Sequence, residues 1–236
     1  LTVENLPAGS SVRLAVMDRF DGNVWNLSDS TMSSDSSNYR RVGTSITNNA
    51  EGKKFTATFT VDKGLSDYWL PMAGAASSVT FDNSENSDSF YYNSDTMSAI
   101  YPSRTSEGLT YTETGIMPTV PTDKQIAKTD AAAISQPKAE DVPDCVDKLA
   151  TAIAGGQSKG GEAAQALAEK LKESGWFSHG FSGDYPSTAG HGNYRIDQLL
   201  AGTAMVGDSE QYASAMALMA RSLGLPSRVV LGFLPK

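Results

Sequence analysis

The chain has 236 residues, 39% of them hydrophobic and 19% charged, with mean hydropathy -0.30, enough for one large domain or two modest ones that each bury a core. Its net charge of -8 and isoelectric point near 4.8 argue against a sequence-independent hold on a phosphate backbone, which excludes nucleic acid as the expected partner. No run approaches the ~18–20 consecutive apolar residues that cross a bilayer, and the start, "LTVENLPAGSSV", lacks the basic and apolar regions of a secretory signal. A membrane is therefore expected to be reached only through segments outside this chain. The single Cys145 leaves no intrachain disulfide, and no Cys or His pair has zinc-ligand spacing, so no metal and no cofactor are expected.

Residues 1–115 read as a β-rich domain of strands separated by polar loops. "SVRLAVMD" is a short, mostly apolar run, and "KFTATFTV" alternates Phe55, Ala57, Phe59 and Val61 with polar partners, the period of a half-buried strand. Shorter candidates follow in "DYWLPM", "SVTF", "SFYYN", "SAIYP" and "LTYTE". No helix-period segment interrupts them, which predicts an antiparallel sandwich or small barrel. The loop "DNSENSD" offers carboxylates to calcium but lacks the central Gly and terminal Glu of an EF-hand loop, so it is expected to be solvated surface.

Residues 116–140, with Pro118, Pro121 and Pro137 and no sustained period, read as a linker or a segment draped over a neighbour. From 141 to 236 the pattern turns helical. "VPDCVDKLATAIAGG" places Val146, Leu149 and Ile153 on one face, with Pro143 suited to the first turn and Gly155 to the exit. "GEAAQALAEKLKESG" does the same through Ala164, Leu167 and Leu171, closing on Gly175. A shorter helix over "NYRIDQLLAG" takes Asn193 as its cap.

Between these helices, "GWFSHGFSGDYPSTAGHGN" is an aromatic, glycine-rich loop holding both histidines, His179 and His191, and anchored by Trp176 and Phe177. Its length exceeds that of ordinary connections, and long loops often carry function. In "GDSEQYASAMALMARSLGLPSRVVLGF", Asp208 and Gln211 fit a capping box that makes Ser209 the first helical residue. Tyr212, Met216, Met219 and Leu223 then form one stripe at i, i+4, i+7 and i+11, for which core packing is sufficient cause. Gly224 supplies the exit, Pro226 bars continuation, and "RVVLGF" reads as a strand. No strand is evident ahead of Asp208, and "GDSEQ" does not fit the Gly-x-Ser-x-Gly elbow. A helix start stabilises an anion by about 0.3–1 kcal/mol, which matters for a thiol with pKa near 8.5 but leaves an alcohol many units from ionisation. Ser209 therefore needs a positioned base to attack anything.

This segment resembles the nucleophile region of the bacterial transglutaminase-like family, whose pattern is Gly-x-Cys-Glu-x-Phe/Tyr-Ala, an apolar helix, then Leu-Gly-Ile/Leu-Pro-Ala-Arg-Val-Val-x-Gly-Tyr/Phe. Gly207, Glu210, Tyr212, Ala213, Leu223, Gly224, Pro226, Arg228, Val229, Val230, Gly232 and Phe233 fall on it. "GWFSHG" and "GHGNYRIDQLL" are similar to the preceding segment of membrane-anchored members from Gram-positive bacteria, and "VRLAVMDRFDGNVW" to their extracytoplasmic β domain. The resemblance is strong over residues 175–233. It implies an α+β fold: an N-terminal antiparallel β domain, then the helical portion of a papain-like, transglutaminase-like core that stops short of the strands bearing the family's catalytic His and Asp. It also implies a place on the extracytoplasmic face of the cell membrane.

The family nucleophile is Cys, and Ser209 stands in its position, with Trp176, His179, His191, Asp208, Glu210 and Tyr212 expected to line the site. The resulting expectation is a pseudoenzyme of the cell envelope that binds a protein or peptide at the cell surface or serves structure there. The alternatives are acyl transfer of transglutaminase or peptidase type, with Cys, His and Asp machinery supplied by the full-length chain, and a weak serine hydrolase using His179 or His191.

Overall fold

The computed structural model describes residues 1–28, 36–43, 45–83 and 90–235. Much of the "DNSENSD" loop thus lies outside the described residues. In chain order the strands of the first half are β1 (Thr2–Glu4), β2 (Val12–Met17), β3 (Arg19–Phe20), β4 (Trp25–Asn26), β5 (Arg40–Arg41) and β6 (Gly52–Thr60). They continue with β7 (Trp69–Leu70), β8 (Ala75–Phe81), β9 (Tyr91–Asn93), β10 (Ser98–Ile100) and β11 (Thr110–Pro118). The second half runs α1 (Asp123–Ile126), α2 (Asp144–Ala154), α3 (Gly160–Ser174), β12 (Gly175–Phe177), α4 (Asn193–Ala201), β13 (Met205–Gly207), α5 (Ser209–Ser222) and β14 (Val229–Phe233).

Two compact units divide the chain, and neither is contiguous. One gathers Leu1–Val16, Asp29–Val120 and Val230–Lys236; the other gathers Met17–Ser28 and Pro121–Val229. The first is the antiparallel β structure that alternation predicts. Among the described residues its sheets run in the order β1-β6-β11-β8 and β5-β9-β10-β7, with β14 beside β2 in a smaller pair. Phe55, Ala57, Phe59 and Val61 are all buried, and the first three share one core with Phe81, Tyr111, Leu70, Tyr92 and Ala99 from both sheets. The register sets Phe59 opposite Tyr111 and Tyr111 opposite Phe81, so these rings pack at 5.1 and 5.5 Å between centroids.

The second unit is helical around α5. The capping box closes as its sequence predicts: the Asp208 carboxylate accepts from the first turn, and the Gln211 side chain accepts the Asp208 N–H. The single-stripe expectation is only half met. Met219 is fully buried, whereas Tyr212, Met216 and Leu223 are half-buried, and Gln211, Ser214, Ala215, Ala217, Leu218 and Ala220 are buried instead. The reason is that α2, α3 and α4 all pack on α5, so burial extends around the helix, and its small Ala and Ser positions permit the close approach.

Elsewhere the local expectations shift by one position. Pro143 caps α2 from outside, with Val146, Ala150 and Ala154 as the buried face, while Leu149 and Ile153 flank it. Leu167 and Leu171 of α3 are buried with Ala163 rather than Ala164, and α4 is preceded by Gly192 with Asn193 already helical. Residues 121–143 hold only the four-residue α1, opened by a Thr122–Gln125 capping box. They lie on the helical unit: the Gln136 side chain exchanges two hydrogen bonds with the Ser227 backbone, and the Pro137 carbonyl accepts from Arg221. Among the described residues no helix is long and apolar enough to cross a membrane.

Candidate functional site

The chain does have a strand ahead of Asp208, contrary to the expectation from its sequence. β13 ends on Gly207 and runs directly into α5, and it pairs in parallel with β12 through Gly175–Met205, Trp176–Val206 and Phe177–Gly207. Three-residue strands are too short for periodicity to register, which is why neither is evident in the sequence. Parallel strands deliver their C-terminal ends to one edge. The loop that follows β12 and the helix that follows β13 therefore start side by side, a junction closed by the Ser178 N–H donating to the Gly207 carbonyl at 2.9 Å.

That junction brings all seven sequence-derived site residues into one neighbourhood. Asp208 accepts the Glu210 N–H on Oδ1 at 2.9 Å and His179 Nδ1–H on Oδ2 at 3.0 Å. Glu210 Oε1 accepts His191 Nδ1–H at 2.7 Å, while His191 Nε2 accepts the Trp25 backbone N–H at 3.3 Å. A backbone N–H can only donate, so the His191 proton sits on Nδ1 and both ring nitrogens are committed. Ser209, between the two carboxylate residues, is exposed, and among the described residues no group hydrogen-bonds its hydroxyl. The Tyr212 hydroxyl donates toward the carbonyls of Met205 at 2.8 Å and Trp176 at 3.3 Å, tying β13 to β12, and burial raises its pKa. Trp176 is 55% exposed.

Several supporting contacts are not visible in the sequence. Arg195 of α4 is buried, its guanidinium pKa lowered by burial, and it donates to the carbonyls of Thr188 and Val206 and to Ser187 Oγ. Gln211 Nε2 donates to the Gly190 carbonyl at 2.8 Å, and Ser178 Oγ to the Tyr185 carbonyl at 2.6 Å. These contacts hold the long loop at its start, middle and end. A signal for Arg195 exists in the sequence: it lies next to Ile196 and four residues before Leu199, on the apolar face of its helix. Trp25 has no such signal. Its indole N–H donates to Ser214 Oγ of α5 at 2.8 Å, and the Arg221 guanidinium lies 4.9 Å over its ring.

Chemically, the mouth of α5 offers two separate imidazole–carboxylate pairs around an unassisted hydroxyl. Among the described residues no group of three or more His, Cys, Asp or Glu is placed to hold a metal ion. A cavity of about 470 Å³ lies at the other end of α5, lined in part by Ile134, Pro137, Val142, Leu218 and Leu225. At a rise of about 1.5 Å per residue, Ser209 and Leu218 stand roughly 14 Å apart along the helix axis, so that cavity does not serve the helix mouth.

Comparison with known proteins agrees with this architecture. The family model of the transglutaminase-like superfamily matches residues 147–236, and that of the TgpA N-terminal domain matches residues 1–122. No curated protein matches the chain significantly. The crystal structure of the periplasmic domain of TgpA from Pseudomonas aeruginosa is similar at 16% identity and a TM-score of 0.63, covering 98% of this chain and 72% of that one. The same domain bound to ethylmercury is similar at 17% identity and a TM-score of 0.64, covering 98% and 74%. At such identity the likeness is one of fold. Both solved structures come from a Gram-negative bacterium, so the Gram-positive origin suggested by the resemblance finds no support. With its strand-rich half matched by one family and its helical half by the other, this chain belongs to the TgpA-type transglutaminase-like proteins.

Proposed function

We propose that this chain is an extracytoplasmic transglutaminase-like domain that binds a protein or peptide at the cell surface without turning it over. The observation that carries the reading is the isolation of the Ser209 hydroxyl: the carboxylates on either side each engage a histidine, and neither imidazole engages the serine. A helix start contributes about 0.3–1 kcal/mol toward an anion, too little to activate an alcohol. In a site built around a thiolate, loss of nucleophile or base commonly costs orders of magnitude in rate. The location is supported by the solved relatives, both described as periplasmic domains.

One observation favours a second reading. His179, held at Nδ1 by Asp208, has the polarity of a base fixed by its orienting carboxylate, the arrangement a serine hydrolase uses. A single assay separates the two. Purified chain is incubated with an N-capped glutamine–glycine peptide and a primary amine, and with a small acyl ester. The expected result is no ammonia release, no amine incorporation, no ester cleavage above buffer and no acylated protein by mass. Turnover of either substrate that disappears in Ser209→Ala overturns the non-catalytic reading.

A further inference from the structure

The loop beside the α5 mouth leaves its aromatic rings in water. Trp176 and Tyr185 meet edge to face at 5.2 Å, and Phe177, His179 and Phe181 form a row with centroids 5.0 and 5.4 Å apart. Phe181 is 71% exposed, and Phe177 and Tyr185 are exposed by more than half. Isolated exposed rings are ordinary, whereas a contiguous group beside a structured site marks an interaction surface. The middle ring of the row, His179, is bonded to Asp208, so the row runs up to the residue preceding Ser209.

The chain segment that carries this row is acidic. Between Lys172 and Arg221 the chain carries Glu173, Asp184, Asp197, Asp208 and Glu210 against a single Lys or Arg, Arg195. That guanidinium is buried and committed to Thr188, Ser187 and Val206. Ring faces carry negative electrostatic potential, and the neighbouring carboxylates add to it, so a cation with an apolar stem satisfies both. Lysine and arginine side chains have that form, whereas an anionic partner is repelled by the same carboxylates.

Resting on the binding reading above, we propose that the row Phe177–His179–Phe181 with the Trp176–Tyr185 corner docks an extended peptide segment bearing Lys or Arg. Its cationic side chains lie over the rings and against Asp208 and Glu210. The probes are fluorescently labelled octapeptides that alternate Gly with Lys, Arg, Glu or Ser, titrated with the whole chain and followed by anisotropy at low and at physiological salt.

The Lys and Arg peptides are expected to bind, more weakly as salt rises, and the Glu and Ser peptides at least tenfold less well. The double variant Trp176→Ala/Phe181→Ala is expected to lose at least tenfold in affinity for the Lys peptide with an unchanged melting temperature, since both rings are exposed. Glu210→Gln is expected to lose affinity severalfold. Equal binding of Lys and Ser peptides, indifference to the double variant, or no binding of the Lys peptide at millimolar concentration each overturns the proposal. Indifference to the rings alone would assign binding to net charge. Ser209-dependent turnover in the assay above would instead overturn the non-catalytic reading and leave the docking surface in place.

Discussion

Asp208 divides its two carboxylate oxygens between the Glu210 N–H and His179, and Glu210 holds His191, so the exposed position between them meets solvent. Cys145 has the opposite setting: burial, then the neighbouring Asp197, pushes its thiol up to about 11. Introducing Ser209→Cys is therefore expected to create a thiol that reacts with iodoacetamide at neutral pH at least tenfold faster than Cys145, because the first turn of a helix favours thiolate. Peptide mapping of the two labelled sites reads this directly, and equal rates would mean that the helix mouth is covered.

A second residue-scale prediction concerns Glu113, fully buried in the β unit. Its Oε2 accepts the Ala73 N–H at 2.8 Å, while Oε1 has no hydrogen-bond partner among the described residues. Burial raises its pKa from 4.5 to about 8, against the pull of the Ala73 N–H and of Arg13. Below pH 4.5 the group is protonated folded and unfolded. Between 4.5 and 8 the unfolded chain releases this proton and the folded chain keeps it, so this group lowers stability as pH rises, and its effect levels off above 8. The total amounts to several kcal/mol at about 1.4 kcal/mol per unit. Urea midpoints between pH 5 and 8.5 are expected to fall for the wild type and to fall less for Glu113→Gln, which mimics the protonated carboxyl; parallel slopes would refute the assignment.

At the scale of elements, the β3–β4 hairpin is the surprise of the helical unit. All of it but Asn26 lies within "VRLAVMDRFDGNVW", similar in sequence to a β domain, yet its residues cluster with the helices. The Gly22 carbonyl accepts the Asn193 N–H at 2.8 Å, the Phe20 carbonyl accepts the Glu140 N–H at 3.0 Å, and the Asp18 carbonyl accepts from Arg221. Trp25 adds the bonds to Ser214 and His191 and lies under Arg221. Replacing it with Ala removes a buried ring and the indole N–H that the Ser214 hydroxyl accepts, while the backbone bond to His191 remains, an expected cost of about 3–5 kcal/mol. A denaturation midpoint shifted by less than about 1 kcal/mol would show that the hairpin is not integral to the unit. The cap of α5 is legible in the sequence because its partners lie three residues apart; the hairpin's partners lie more than a hundred residues away, beyond any local pattern.

For the whole molecule, each unit combines segments from distant parts of the chain, so no single cut separates them. Residues 1–120 expressed alone would leave β2 without β14 and the segment Met17–Ser28 without the helices that bury Phe20 and Trp25. That fragment is expected to melt well below the intact chain and to bind a hydrophobic dye. A fragment as stable as the intact chain would show that β14 and the helical unit contribute nothing to the first half.

What the sequence determined by itself was local: the alternating strand at 55–61, the helices and their exits, the Asp208–Gln211 cap and the placing of Ser209 at a helix start. These depend on neighbours within a few residues, where spacing alone reports which face is apolar and which N–H finds a cap. The tertiary structure decided the rest: the parallel pairing of two three-residue strands, the engagement of both histidines by the carboxylates flanking Ser209, the burial all round α5 and the hairpin's allegiance to the helices. Each is a contact between segments far apart in the chain, chosen by three-dimensional packing and hydrogen-bond satisfaction, which one-dimensional periodicity does not encode.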